Sequence, residues 1–257
     1  MKKCFKWLVL FAFVFALGFT NINALSSNKN LNTITLNPEN DINVTASIPT
    51  RYDLRDYIDI GVENQNPYGI CFAYASLTSL ETYLALNYGE YYDFSELHFA
   101  LSLYLQEGYY DSIDHALNDG GNFAHFALYT QKDKSLVLES EMPKSKYTGI
   151  NKYSQMQSDF NNINNNFYSV AKVNDTIRFD RYVGNKSQYS SYELTNFRNG
   201  VKNHIMKYGS LTAGIHSNNT FTNSTINYKI TDDSLITTDK ITTLNTNHLI
   251  SIVGWDD

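Results

Sequence analysis

Gln65-Asn66-Pro67-Tyr68-Gly69-Ile70-Cys71-Phe72-Ala73-Tyr74-Ala75-Ser76 is the stretch on which the reading of this chain turns. From Cys71 onward, Ala73, Leu77, Leu80 and Leu84 recur at helical spacing, and Gly89 is placed to stop the helix. Cys71 therefore stands at a helix start. Unpaired N–H groups and the helix dipole favour negative charge there, and a thiol is a useful nucleophile only as its thiolate. A neutral imidazole brought close from elsewhere in the fold would take the thiol proton and later return it to a leaving amine. A thiolate attacking a carbonyl creates an oxyanion. The backbone N–H of Cys71 is one donor for it, and the Gln65 amide, six residues upstream across a turn with Pro67 and Gly69, is a candidate second. Taken alone, Gln65 also reads as an ordinary polar residue and Gly69 as a turn residue.

The remaining cysteine usage fits a reactive thiol. The chain has two cysteines, Cys4 and Cys71. Lys2, Lys3 and Lys6 precede an apolar run from Trp7 to Phe19 and small and polar residues up to Asn23-Ala24-Leu25, the pattern of an export signal cleaved near Ala24. The run falls short of the ~20 residues that a membrane-spanning helix needs. Cleavage would remove Cys4, so the mature chain would carry a single thiol and no internal disulfide.

Residues 25–47 are polar and Asn-rich and read as a spacer, and the domain is expected to run over 48–257, beginning at Ile48-Pro49-Thr50-Arg51-Tyr52-Asp53-Leu54-Arg55. A second helix is predicted after an Ser95 N-cap, with Leu97, Ala100, Leu101 and Tyr104 on one face, and a third after Gly120-Gly121 with Phe123, Phe126, Ala127 and Thr130. A long polar stretch from Asn151 to Ser191 leads to a helix bearing Leu194, Phe197, Val201 and Ile205, ended by Gly209. Strand-like runs follow at Leu211 to Ile215, Ile226 to Ile230 and His248 to Trp255. Helices first and strands later imply an α+β chain of two lobes, the helical one over about 62–145 and the β-rich one over about 146–257. A formal net charge of -6 with both signs scattered leaves no basic tract for nucleic acid, so no nucleic-acid partner is expected.

The Gln65 to Ser76 stretch resembles the papain and cathepsin family of cysteine peptidases: the Gln-to-Cys spacing, a glycine two before the cysteine, an aromatic residue at Phe72 and Ala73-Tyr74-Ala75-Ser76 all match. Arg51 to Arg55 is similar to the start of such mature enzymes, and Phe94-Ser95-Glu96-Leu97 to the helix that follows their central one. Tyr68 stands where the family usually has a disulfide-forming cysteine, and Ile70 where it has a small residue. The resemblance implies a two-lobe papain-like fold, incomplete at its C-terminus because the chain stops at Asp257 without the family's Asn-Ser-Trp strand. It also implies Cys71 as nucleophile, Gln65 in the oxyanion hole and His248 as base. Six histidines compete for that role, His98, His115, His125, His204, His216 and His248, and only His248 opens a late apolar strand, Asn247-His248-Leu249-Ile250-Ser251-Ile252-Val253-Gly254-Trp255. By the same resemblance Gly120 and Gly121 would pair with an extended substrate backbone, where glycine lets another chain approach closely, and Gly214, Asn247 and Leu249 would contact substrate side chains.

These readings imply a secreted or cell-surface endopeptidase acting on polypeptides through a thioester, with no cofactor or metal. Any attachment to the cell surface would run through regions beyond Asp257. The fragment as it stands is expected to have little activity for want of a group that orients His248. A papain-fold binding module without activity is the alternative, and a cell-wall amidase on another Cys-His fold is a third reading.

Overall fold

The computed structural model describes residues 47–131, 136–166, 190–215, 228–231, 234–237 and 247–257. The segment expected to be an export signal, most of the expected spacer and His216 lie outside the described residues. The chain enters through β1 (Arg51–Asp53) and a single 3-10 turn (Leu54–Asp56), which Asp53 caps by accepting from the Arg55 N–H. Four helices follow: α1 (Cys71–Tyr88), α2 (Glu96–Leu105), the short α3 (Ile113–Asn118) and α4 (Phe123–Gln131). Then come α5 (Lys152–Asn166), α6 (Ser191–Tyr208), β2 (Leu211–Ile215), β3 (Tyr228–Thr231), β4 (Ser234–Thr237), β5 (His248–Ile252) and β6 (Gly254–Asp256). The mixture of helices and small antiparallel sheets is the expected α+β class.

Helix boundaries follow local chemistry. Ser95 accepts from the His98 N–H at the start of α2, and Gly89, in the left-handed conformation, ends α1. At α6, Ser190 and Glu193 form a reciprocal capping box. Gly209, with φ 99°, ends that helix and also brings the chain against α1, where a β-carbon would meet the Thr82 carbonyl carbon at 2.8 Å.

The helix α5 lies in the polar stretch from Asn151 to Ser191, where no element was expected. Its Tyr153, Met156, Phe160 and Ile163 fall at i, i+3, i+7 and i+10 and pack on the first core, while Ser154, Gln155, Gln157, Ser158, Asn161 and Asn162 are exposed. That core gathers Phe72, Leu77, Phe94, Leu97, Phe99, Leu101, Tyr129 and Phe160 around α1 and α2. A second core holds Tyr52, Leu54, Ile58, Ala85 and Ile205, with Trp255 stacked on Tyr52 at 5.1 Å. The helix α1 contributes to both cores, so it is apolar on more than one side and sits at the middle of the molecule.

Three antiparallel pairs are described: β1 with β6, β2 with β5 and β3 with β4. The run predicted from His248 to Trp255 is broken at Val253, whose carbonyl accepts from the Leu54 N–H at 2.8 Å. The break lets β5 pair with β2 while β6 pairs with the entry strand. The predicted strand at Ile226 to Ile230 is described from Tyr228, and its first residues lie outside the described set.

Candidate active site

Cys71 is the first residue of α1 and is buried, 8% exposed. The residue before it, Ile70, provides no capping side chain; its carbonyl takes the Ala73 N–H at 2.9 Å, and no bond from the Cys71 or Phe72 N–H is found among the described residues. Ahead of it, the Gln65 turn is closed twice: Tyr68 N–H donates to the Gln65 carbonyl at 3.0 Å, and Gln65 Nε2 donates to the Tyr68 carbonyl at 3.1 Å. The Asn66-Pro67 peptide in this turn is cis. One N–H of the Gln65 amide is thus spent on the turn, and the other has no bond among the described residues.

Gly69 is more than a turn residue. Its N–H donates to the Leu117 carbonyl at 2.7 Å, and a β-carbon on it would meet the Asn118 carbonyl oxygen at 2.8 Å. The end of α3 therefore lies flush against the loop that delivers Cys71. From that end the chain turns through Gly120, at φ 77°, and Gly121, which lies on the ring of Phe72. Tyr110 fixes the pair by donating its hydroxyl to the Gly120 carbonyl at 2.5 Å. Gly120 and Gly121 are thus brought beside the segment Gly69 to Phe72, forming one wall. Neither the α3 contact nor the Tyr110 clasp was anticipated from the sequence, since both join residues whose types are common in loops.

The opposite wall comes from β2 and β5, which ride along α1 in measured steps. Ser79 donates its hydroxyl to the Ser210 carbonyl at 2.6 Å, and Ser210 N–H donates to Thr82 Oγ1 at 2.9 Å. Two residues further, Thr212 donates to the Ala75 carbonyl at 2.8 Å, and Ser251, paired with Thr212 across the sheet, reaches the same oxygen at 3.3 Å. Two strand residues advance about 6.8 Å and four helix residues about 6 Å. Beyond Thr212 and Ser251, the register continues with the pairs Gly214–Leu249 and Ile215–His248. Leu249 is buried in the same core cluster as Cys71. Gly214 is exposed.

His248 opens β5 and is half-buried. Strand alternation puts Leu249 and Ser251 on the face toward α1 and His248 on the other face. No hydrogen bond joins His248 and Cys71 among the described residues. Asn247 is exposed, and its N–H donates to the Ile215 carbonyl at 3.0 Å.

The other described histidines are otherwise engaged. His98 is buried in α2, stacked on Phe160 at 4.8 Å, and burial holds it down to about 4. His204 in α6 is likewise held to about 4 by burial. His115 is raised by its contact with Asp111. His125 packs edge-on against Phe72 at 5.7 Å and beside Tyr109 and Tyr110, and burial lowers it.

Behind the Gln65 turn, α1, α2 and the segment after α4 bury carboxyl groups. Glu81 accepts from the Phe94 N–H at 2.7 Å, and burial pushes it up to about 8. Glu96, 3% exposed, is pushed well above the carboxyl range by burial and by Glu63. Burial also raises Asp93 and Glu139, whose Oε1 accepts from the Lys144 N–H at 2.9 Å. Among the described residues no group of three or more His, Cys, Asp or Glu side chains is placed to hold a metal ion.

Comparison with solved structures decides the architecture. The chain superposes on the cysteine protease and lectin-like domains of Cwp84, a surface layer associated protein of Clostridium difficile, with a TM-score of 0.57 and 23% identity over 82% of this chain and 40% of that one. A second structure, the clostridial cysteine protease Cwp84 after propeptide cleavage, gives a TM-score of 0.55 and 24% identity over 80% of this chain and 44% of that one. The chain has the papain-like peptidase fold. It spans less than half the length of either Cwp84 structure. No family model and no curated protein matches the sequence. Within the papain-like fold, the helix that opens at Cys71 is the central one, with Gly121 on its Phe72 and the β2–β5 pair bonded at its Ala75.

Proposed function

We propose that the chain is an exported cysteine endopeptidase that cleaves extended polypeptides through a thioester. The observation that carries the reading is the placement of Cys71, the one cysteine outside the export signal, at the uncapped start of the central helix of a papain-like fold, with the strand that begins at His248 docked on that helix.

In this reading His248 takes the Cys71 Sγ proton, and the thiolate attacks the substrate carbonyl carbon. The oxyanion receives the Cys71 backbone N–H and the remaining N–H of Gln65, donors typically worth roughly 3 to 4 kcal/mol each. The C–N bond then breaks as the imidazolium gives its proton to the leaving amine. Water, deprotonated by His248, hydrolyses the thioester and restores the thiol. The transfer requires the His248 imidazole, at the open end of β5, to turn toward the Cys71 thiol when substrate binds. The substrate backbone runs along Gly120 and Gly121, and Gly214, Asn247 and Leu249 contact its side chains.

Export rests on the segment from Lys2 to Ala24, and the likeness to a surface layer associated protease supports a place outside the cell. The test is hydrolysis of a fluorogenic dipeptidyl amide by the full-length protein. Turnover that disappears in Cys71→Ser supports the reading, and turnover that persists in that variant removes Cys71 from the mechanism.

A further inference from the structure

A depression of about 340 Å³ backs onto the Gln65 turn. One wall is residues 66–68 of the turn itself, and the other is the segment 144–149 with Lys152 at the head of α5. Its lining carries two lysines, Lys144 and Lys152, and no carboxylate. In a chain of net charge -6 this is a local reversal of sign.

Both lysines are half-buried along their stems and held over tyrosine rings: Lys152 Nζ lies 5.2 Å from the Tyr68 ring and 4.9 Å from Tyr153, and Lys144 Nζ 5.3 Å from Tyr74. Such packing orders a lysine while leaving its ammonium at the surface of a cavity. Lys144 also donates to the Asn64 carbonyl, which ties it to the same turn. Neither ammonium has a carboxylate partner among the described residues. Their neighbour Lys146 does: it binds Asp159 at 2.8 Å, and Asp159 also accepts the Tyr147 hydroxyl at 3.0 Å. The other acids around the depression are engaged as well: Glu139 Oε1 accepts the Lys144 backbone N–H at 2.9 Å, and Asp114 accepts the Tyr153 hydroxyl at 2.6 Å. Ser145 and Thr148 add hydroxyl groups to its lining.

We infer that this depression is a subsite for an acidic side chain of the bound polypeptide, with Lys144 and Lys152 receiving its carboxylate. The inference rests on the peptidase reading, because the turn that forms one wall is the turn that carries Gln65 and leads into Cys71. A carboxylate in the depression would meet two positive charges, hydroxyl donors and the apolar edges of Tyr68 and Tyr147, a setting that an amide of equal size fills with weaker hydrogen bonds.

The experiment compares fluorogenic peptides carrying Glu or Gln at each position around the scissile bond in turn, with the full-length protein and its Lys144→Gln/Lys152→Gln double variant. At one position Glu is expected to exceed Gln in kcat/KM by about five- to tenfold, the scale of two half-exposed ion pairs, mainly through KM. In the double variant that ratio falls to about one, whatever common factor the lost Lys144 bond to the Asn64 carbonyl imposes on the Glu and Gln peptides alike. No Glu preference at any position, or a preference that survives in the double variant, overturns the inference. If no peptide is cleaved at all, the peptidase reading fails by itself. The subsite is then read by calorimetric titration of the protein with pentaglutamate and pentaglutamine. Selective uptake of pentaglutamate that is lost in Lys152→Glu supports it, and equal uptake of the two peptides overturns it.

Discussion

Gly121 lies so close to the ring of Phe72 that a β-carbon there would come within 2.5 Å of Phe72 Cδ1. Phe72 follows Cys71, is fully buried and is wedged by Phe99 at 5.7 Å, so it has little room to yield. Gly121→Ala is expected to destabilise the protein by about 1 to 3 kcal/mol, the usual cost of overpacking a core, and to slow modification of Cys71 by displacing the start of α1. Denaturant unfolding and thiol labelling check this. Unchanged stability would show that the glycine wall adjusts freely.

The docking of β2 and β5 on α1 is predicted to depend on the hydroxyls at Ala75. Thr212→Val keeps the shape and removes a 2.8 Å hydrogen bond, with an expected loss of about 0.5 to 1.5 kcal/mol. If His248 serves Cys71 as proposed, this docking also holds the strand that carries it, and peptidase activity should fall by more than the stability change alone explains. Equal activity in the variant would separate the docking from the site.

Much of this arrangement was legible in the sequence, for local reasons. Ser95, Gly89 and Gly209 mark helix ends by their own chemistry, and Cys71 at a helix start and His248 at a strand start follow from periodicity. The helix α5 was hidden because asparagines dilute the spacing of Met156 and Phe160. Contacts between distant segments were not legible: Gly69 against Asn118, Tyr110 on Gly120, and Thr212 on Ala75 depend on how elements dock, and no residue type announces them. The split of the last strand at Val253 was hidden for the same reason, since β6 exists only because β1 is there to pair with it.

Stability is predicted to be greatest at mildly acid pH. Glu81 moves from 4.5 to about 8 in the fold, and Glu96, Asp93 and Glu139 shift the same way. The Glu81 contribution is fully present below about 4.5 and is lost as pH rises through 8, and the other three are lost in the same direction as pH rises. His98 and His204 move from 6.5 to about 4, so their contribution is present above 6.5 and lost as pH falls toward 4. The two trends oppose each other between 4.5 and 6.5, and above 6.5 only the fall remains, at most about 1.4 kcal/mol per pH unit for each carboxyl. Glu81→Gln with Glu96→Gln should flatten the decline from pH 6.5 to 8 in denaturant titrations. A stability that rises over that range contradicts the assignment.

Gln65→Ala should lower kcat far more than it raises KM, because an amide contact to the carbonyl oxygen strengthens as charge develops there. It also removes the Nε2 bond to Tyr68, so unfolding must be measured alongside. A change confined to KM would make Gln65 a substrate-binding residue.

The central claim, that Cys71 and His248 act as one nucleophile and base, is tested most directly by the rate at which iodoacetamide modifies Cys71 in the full-length protein near pH 6, read by mass spectrometry in wild type and in His248→Ala. The account predicts rapid labelling in wild type and labelling slowed by about tenfold or more in the variant, since the imidazolium that sustains the thiolate is gone. Equal rates in the two proteins would contradict it and take His248 out of the site.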